Sequence, residues 1–319
     1  MAFTTDNKDT LGGSNPDEIH RELHALLPEL SELTKAKSKD QEKVLNELFI
    51  EQLSRMIYGS NMIEFAGGSL ETTRKLCRMV LDKEGEDVSE EITETDPDYD
   101  DIQLHLQSRE LPHDHARILQ SYREIVQHAQ AAEYIFDKVG KGEDLSQSII
   151  NETHAILTYK IDAGQTPWIY YSGVYRTCDV RCGSHIFMDD SRVPCAMRDM
   201  IEALESGIEK GEMDKLELAS KYCHQFVNIH PFADGNGRMC RLVLNALLLR
   251  FGFGVICIGQ TKQDRQLYLR IAVESSALKA SQNQEHMVMN NYKALASFVL
   301  QHTRDEILKT CQTLRGDIQ

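Results

Sequence analysis

The stretch His230-Pro231-Phe232-Ala233-Asp234-Gly235-Asn236-Gly237-Arg238-Met239-Cys240-Arg241 gathers the groups that chemistry on a phosphate needs. His230 titrates near neutral pH and can take a proton from an incoming hydroxyl. Asp234 is a hard oxygen donor of the kind Mg²⁺ takes while keeping waters and phosphate oxygens in its shell. Gly235-Asn236-Gly237 precedes a helix, where backbone N–H groups converge and the helix dipole adds partial positive charge; a phosphate is the natural occupant. Arg238 and Arg241 are three residues apart and share one helix face. Singly, each has an ordinary reading: a Gly-Asn-Gly turn, an inert His before Pro, arginines on a solvated face. Their conjunction in one short loop points to phosphate chemistry.

The flanks must position that loop. Upstream, Leu216, Ala219, Tyr222, Cys223, Phe226 and Ile229 recur at helical spacing, which predicts a helix over Lys215–Ile229. Pro231 disfavours helical backbone at His230 and ends it there. Downstream, Arg241–Phe251 is dense in Leu and stops at Gly252, so the loop feeds the start of a buried helix.

These residues resemble the Fic signature, His-x-Phe-x-Asp/Glu-Gly-Asn-Gly-Arg-x-x-Arg, and match it at every specified position. Fic proteins are mostly nucleotidyltransferases that move AMP from ATP onto a Ser, Thr or Tyr hydroxyl of a protein. The resemblance implies His230 as general base and Asp234 as the Mg²⁺ ligand. It implies the Gly235–Gly237 backbone with Asn236 as the α-phosphate cradle, and Arg238 and Arg241 as phosphate binders. Ser172-Gly173-Val174-Tyr175-Arg176 resembles the Gly-x-Tyr/Phe-Arg before the family's β-hairpin flap, here over residues 179–192, along which a protein substrate docks by strand addition. Gln263-Asp264-Arg265-Gln266-Leu267-Tyr268 resembles the segment lining the adenine pocket; only Tyr268 of the family's tyrosine pair is present, and a core tyrosine is the competing reading.

Ser60-Asn61-Met62-Ile63-Glu64-Phe65 resembles the family's inhibitory motif, Ser/Thr-x-x-x-Glu-Gly/Asn. It implies that Glu64 pairs with Arg241 through a bidentate contact, takes the space of the γ-phosphate, and leaves ATP in a pose whose α-phosphate cannot be attacked in line. Phe65 departs from the motif and changes the residue at the helix end. An intact loop beside an inhibitor leaves three readings open: AMP transfer with Glu64 as a brake, removal of AMP from a modified protein with Glu64 directing water, and a nucleotide-regulated interaction module. Intact His230 and Asp234 disfavour the last.

The chain has 319 residues and a net charge of −15, with Lys and Arg scattered, which argues against a nucleic-acid partner. No apolar run is long enough to span a membrane and no secretory signal is present, so no membrane partner and a cytoplasmic or nuclear location are expected. Asn151-Glu152-Thr153 is then a chance sequon. The eight cysteines lack paired zinc spacing; Cys223, Cys240 and Cys257 read as core, and Cys178 and Cys182 as flap thiols. His113-Asp114-His115 is read as a solvated surface. A homodimer is left open.

The expected architecture is all-α, a Fic-type helical domain with a small β-hairpin flap and an N-terminal helical region packing on the active site. Residues 1–16 are expected to be disordered. Residues 17–110 form the N-terminal region, with a helix over Asp40–Tyr58 leading to the inhibitory segment 60–65. Residues 82–101, with eleven acids and one Lys, read as a self-repelling loop, and 111–315 form the Fic domain.

Overall fold

The Leu-rich run after the signature loop needs cover on all sides, and in the computed structural model helices supply it. The structure describes residues 15–35, 38–82, 88–89, 91–182, 185–280 and 292–316, without the side chains of 275–280. In chain order the helices are α1 (Pro16–Leu33), α2 (Lys39–Ile63), α3 (Leu70–Leu81), α4 (Pro97–Ser108), α5 (His115–Gly140), α6 (Gln147–Leu157), α7 (Val193–Lys210), α8 (Lys215–Ile229), α9 (Asn236–Arg250), α10 (Lys262–Ala280) and α11 (Lys293–Arg315). Two short strands, β1 (Arg181–Cys182) and β2 (His185–Ile186), pair antiparallel with Arg181 opposite Ile186. The architecture is the expected all-α domain with a small hairpin.

Every residue of α9 from Arg238 to Leu248 is buried. Helices α8, α5, α6 and α2 all pack on it, and α11 backs α8 from outside. A helix buried all round belongs at the centre of a domain, and this one puts its N-terminus, with the signature loop, where the surrounding helices converge. Several helix starts are fixed by local chemistry: Ser38, Ser69, Asp114, Ser146 and Asp214 each accept a backbone N–H of the first turn.

Four boundaries differ from expectation. Helix α9 takes in Asn236 and Gly237, expected just before its start, because Gly235 adopts the left-handed conformation (φ 75°) and turns the chain directly into it. Helix α2 runs on to Ile63 rather than ending near Tyr58, since Met56, Ile57, Ser60, Asn61 and Ile63 remain buried along it. The acidic segment is not a loop throughout: Pro97 at the first helical turn and Asp98 and Asp100 beside the positive end of the dipole start α4, whose Tyr99, Ile102 and Leu106 reach the core. Residues 83–87 and 90 lie outside the described set. So do residues 1–14 of the expected disordered N-terminus, whereas Asn15 caps α1 and Pro16 begins it.

Helix α2 approaches the chain after α9 so closely that a Cβ on Gly59 would lie 2.3 Å from the Ile258 carbonyl oxygen. Gly59→Ala must push α2 away and is expected to cost about 1–3 kcal/mol in urea unfolding. Gly140→Ala, whose Cβ meets nothing within 4 Å, is the control and should be neutral or slightly stabilising. Equal unfolding midpoints for the two variants would contradict the close approach.

Candidate phosphate-binding active site

His230 follows the last residue of α8 with φ 52° and ψ 62°, a left-handed conformation uncommon for a non-glycine residue. The strain is held from both sides. Its N–H donates to Phe226 O (3.0 Å), and the buried Arg176 guanidinium donates from Nε to His230 O (2.8 Å) and from Nη2 to Met188 O (2.6 Å). The ring stacks on Phe187 of the flap, centroids 3.8 Å apart. His230 Nδ1 lies 3.2 Å from Val227 O, so Nδ1 carries the proton and Nε2 presents a lone pair. Burial pushes the imidazole down to about 4, with Arg176 adding to the fall and the Val227 carbonyl, Glu64 and Asp234 opposing it. His230 is therefore neutral at pH 7, the form a general base requires.

The cradle is built by side chains that bind backbone. Asn236 Oδ1 accepts from Phe232 N–H (2.9 Å) and its Nδ2 donates to Phe232 O (2.8 Å). The amide expected to contact phosphate is thus committed to shaping the loop, and the residue offers the ligand its backbone. Asn236 and Gly237 open α9, so their N–H groups lack intrahelical partners and meet the positive end of the dipole. The Arg238 side chain is buried, and its Nε and Nη1 have no hydrogen-bond partner. Buried guanidinium donors of that kind suit an anion bound at the cradle. The half-exposed Asp234 carboxylate lies 3.7 Å from Arg238 Nη2 and is open to a solvated cation.

His154 on α6 is a site residue that motif reading missed. Its ring lies flat on Phe232, centroids 3.6 Å apart. Nδ1 accepts from Gly173 N–H (2.9 Å), which leaves Nε2–H to donate to Asp234 O (3.0 Å). One imidazole thus locks the signature loop to the Ser172–Arg176 segment, where a Cβ on Gly173 would meet Ala155 Cβ at 2.8 Å. A lone His on the apolar face of a helix carries no sequence signal beyond its burial.

The last turn of α2 enters the site from the opposite side. Arg241, itself buried, donates from Nε to Ser60 Oγ (2.8 Å) and from Nη2 to Ser60 O (3.0 Å) and Glu64 Oε1 (2.7 Å). The expected bidentate carboxylate pair is therefore a single contact, because the Ser60 hydroxyl takes Nε. Burial disfavours the Arg241 charge, yet Glu64 holds its pKa above the ordinary value. A Cβ on Gly237 would fall 2.1 Å from Glu64 Oε1, so the carboxylate stands directly on the cradle.

Phe65 ends α2 at φ 56°, the conformation a Gly or Asn adopts without cost, and Ala66 N–H closes the turn on Asn61 O (2.9 Å). The arginines around it compensate: Arg265 and Arg109 lie 4.2 and 5.3 Å from its ring centroid, and Arg117 donates to Phe65 O (2.7 Å). Tyr268 does not line an open pocket. It is buried against Phe298, with the Arg241 guanidinium 5.7 Å from its ring centroid, the place of a core tyrosine supporting that arginine. Cys178 and Cys182 are exposed free thiols.

Comparison with known proteins agrees with this geometry. Residues 144–248 match the family model described as the Fic/DOC family. That stretch, a third of the chain, is its region of similarity to the Fic/DOC family. A Fido domain-containing protein of Dictyostelium discoideum is 36% identical over 85 residues, a stretch covering 27% of this chain and 59% of that protein. A protein named protein adenylyltransferase Fic from Nematostella vectensis is 45% identical over 58 residues, covering 18% of this chain and 14% of the relative. The matches thus span less than two thirds of either relative. The crystal structure of a Fic domain-containing signaling protein from Bacteroides thetaiotaomicron superposes with a TM-score of 0.65 at 20% identity, covering 92% of this chain and 98% of that one, so the fold is shared. Among the described residues no helix is long and apolar enough to cross a membrane.

Burial pushes the His154 imidazole down to about 4 as well. Below the unfolded value of about 6.5 the unfolded chain binds a proton that the folded chain refuses, so stability falls as pH drops from about 6.5 towards 4. His154→Gln should be less stable than wild type at pH 7 yet lose less between pH 6.5 and 4.5, read from urea midpoints. Parallel losses in the two proteins would show that His154 does not titrate between those limits.

Proposed function

We propose that this chain is a protein adenylyltransferase that moves AMP from ATP onto a Ser, Thr or Tyr hydroxyl of a protein, and that Glu64 restrains it. The observation that carries the reading is that one loop, His230 to Arg241, holds the His230 Nε2 lone pair, the N-terminus of α9 and the unpartnered, buried Arg238 donors. The names of the curated relatives support the activity class. We further read residues 111–315 as the extent of the Fic domain.

In the proposed step the target hydroxyl oxygen attacks the α-phosphorus of ATP. His230 Nε2 takes the hydroxyl proton as the O–P bond forms. The bond from the α-phosphorus to the bridging oxygen breaks, and pyrophosphate leaves. The N–H groups of Asn236 and Gly237 bind the α-phosphate, and Arg238 binds the outer phosphates. Asp234 would hold Mg²⁺, which offsets phosphate charge when bound. The target segment adds to the β1–β2 hairpin and brings its hydroxyl over His230, beside Phe187.

Glu64 opposes this arrangement in two ways. Its carboxylate lies over Gly237, where phosphate oxygens must come, and it holds Arg241 Nη2. A charge-assisted hydrogen bond contributes roughly 1.5–3 kcal/mol. Glu64→Gly is therefore expected to raise transfer of label from α-³²P ATP to protein by roughly tenfold to a hundredfold. Adding His230→Ala should reduce that rate by about 10²–10⁴ while ATP affinity stays near that of the single variant. An unchanged rate in Glu64→Gly would contradict restraint, and full activity in the double variant would contradict the base.

A further inference from the structure

Helix α1 carries His20 and His24 one turn apart, which puts both imidazoles on one face. That face meets the start of α8, where Asp214 is the N-cap. The carboxylate is held in place: Oδ1 accepts from Leu216 N–H (2.9 Å) and Glu217 N–H (3.2 Å). Oδ2 is turned towards the histidines, 3.1 Å from His20 Nε2 and 3.9 Å from His24 Nε2, and the two Nε2 atoms are 3.0 Å apart. Three potential ligand atoms therefore form a small triangle that joins two helices.

Protons alone satisfy this triangle poorly. Each Nε2 offers either one N–H or one lone pair. A proton on His20 Nε2 has to be shared between the carboxylate and His24. Without it, a lone pair faces the Asp214 oxygen. A cation at the centre lets both lone pairs and the carboxylate point inward. The dimensions also suit it: a tetrahedral ion with bonds of about 2.0–2.1 Å sets adjacent ligand atoms about 3.3 Å apart. Among the described residues this is the one cluster of three His, Cys, Asp or Glu whose ligand atoms come so close.

We propose that His20, His24 and Asp214 bind a divalent transition-metal ion, Zn²⁺ being the best fit, that fastens α1 to α8. Two imidazoles and one carboxylate are ligands Zn²⁺ favours, and water completes the fourth position on the half-exposed His24 side. The backbone donors on Asp214 Oδ1 orient the carboxylate as outer-shell partners do in metal sites. The site is separate from the phosphate chemistry, since Asp214 caps one end of α8 and His230 the other.

Co²⁺ is the probe, because four-coordinate Co²⁺ absorbs in the visible. Tag-free full-length chain, stripped with EDTA and dialysed, would be titrated with Co²⁺ and then with Zn²⁺. One equivalent should give the absorption band and Zn²⁺ should abolish it. Asp234→Ala should keep the band, which separates this site from the signature-loop carboxylate. His24→Gln, at a half-exposed position, and Asp214→Asn, which keeps the cap oxygen, should each weaken Zn²⁺ binding at least tenfold, with folding checked by circular dichroism. No band in wild type, binding unaffected by both substitutions, or a band lost with Asp234→Ala and kept in His24→Gln would overturn the proposal.

Discussion

A guanidinium held out of water must have its charge and its donors satisfied by protein, and Arg241 is that group here. The three contacts of its Nε and Nη2 come from the last turn of α2, two from Ser60 and one from Glu64. Pulling α2 off α9 would leave a buried charge uncompensated. This ties the N-terminal helical region to the signature helix more strictly than apolar packing alone. Gly59 lets α2 come close enough, and Tyr268 supports the arginine from below.

The two anchoring residues differ in their freedom. Ser60 is buried, whereas the Glu64 side chain is 38% exposed at the rim of the cradle. In the proposed function Glu64 would leave Arg241 only as phosphate oxygens replace its carboxylate, and Ser60 would keep its hold, so α2 need not move. The Arg109–Phe65–Arg265 stack lies just beyond Glu64 in the chain. On the opposite side of the cradle, Arg176 and His154 fix the backbone of His230 and Asp234 by hydrogen bonds to their carbonyls. The signature loop is thus held by hydrogen bonds on one side and faces the Glu64 carboxylate on the other.

Much of this was legible in the sequence because the motif residues are contiguous. The loop from His230 to Arg241, its flanking helices and the Ser60–Glu64 approach to Arg241 all follow from local pattern plus one family resemblance. What escaped depends on distant partners. Asn236 has the amide of a phosphate ligand, but its use is fixed by the Phe232 backbone across the loop. His154 matters only because folding brings it against Phe232 and Gly173. The composition of residues 82–101 suggested repulsion; over 91–101 single positions decide otherwise, with Pro97 starting a helix and Lys75 and Arg123 reaching Asp98 and Glu91. Phe65 breaks the motif by residue type and keeps it by conformation, a distinction visible only in φ.

The account turns on whether Glu64 and the outer phosphates compete for Arg241. Crystal structures of wild type and Glu64→Gly, each with ATP and Mg²⁺, test this directly. The account predicts that wild type keeps Glu64 on Arg241, with the γ-phosphate displaced and the α-phosphorus out of line with His230 Nε2. In Glu64→Gly, Arg241 should bind the γ-phosphate and the α-phosphate should sit on the N-terminus of α9. Identical triphosphate poses in the two structures, or a wild-type complex with Arg241 holding Glu64 and the γ-phosphate together, would contradict it.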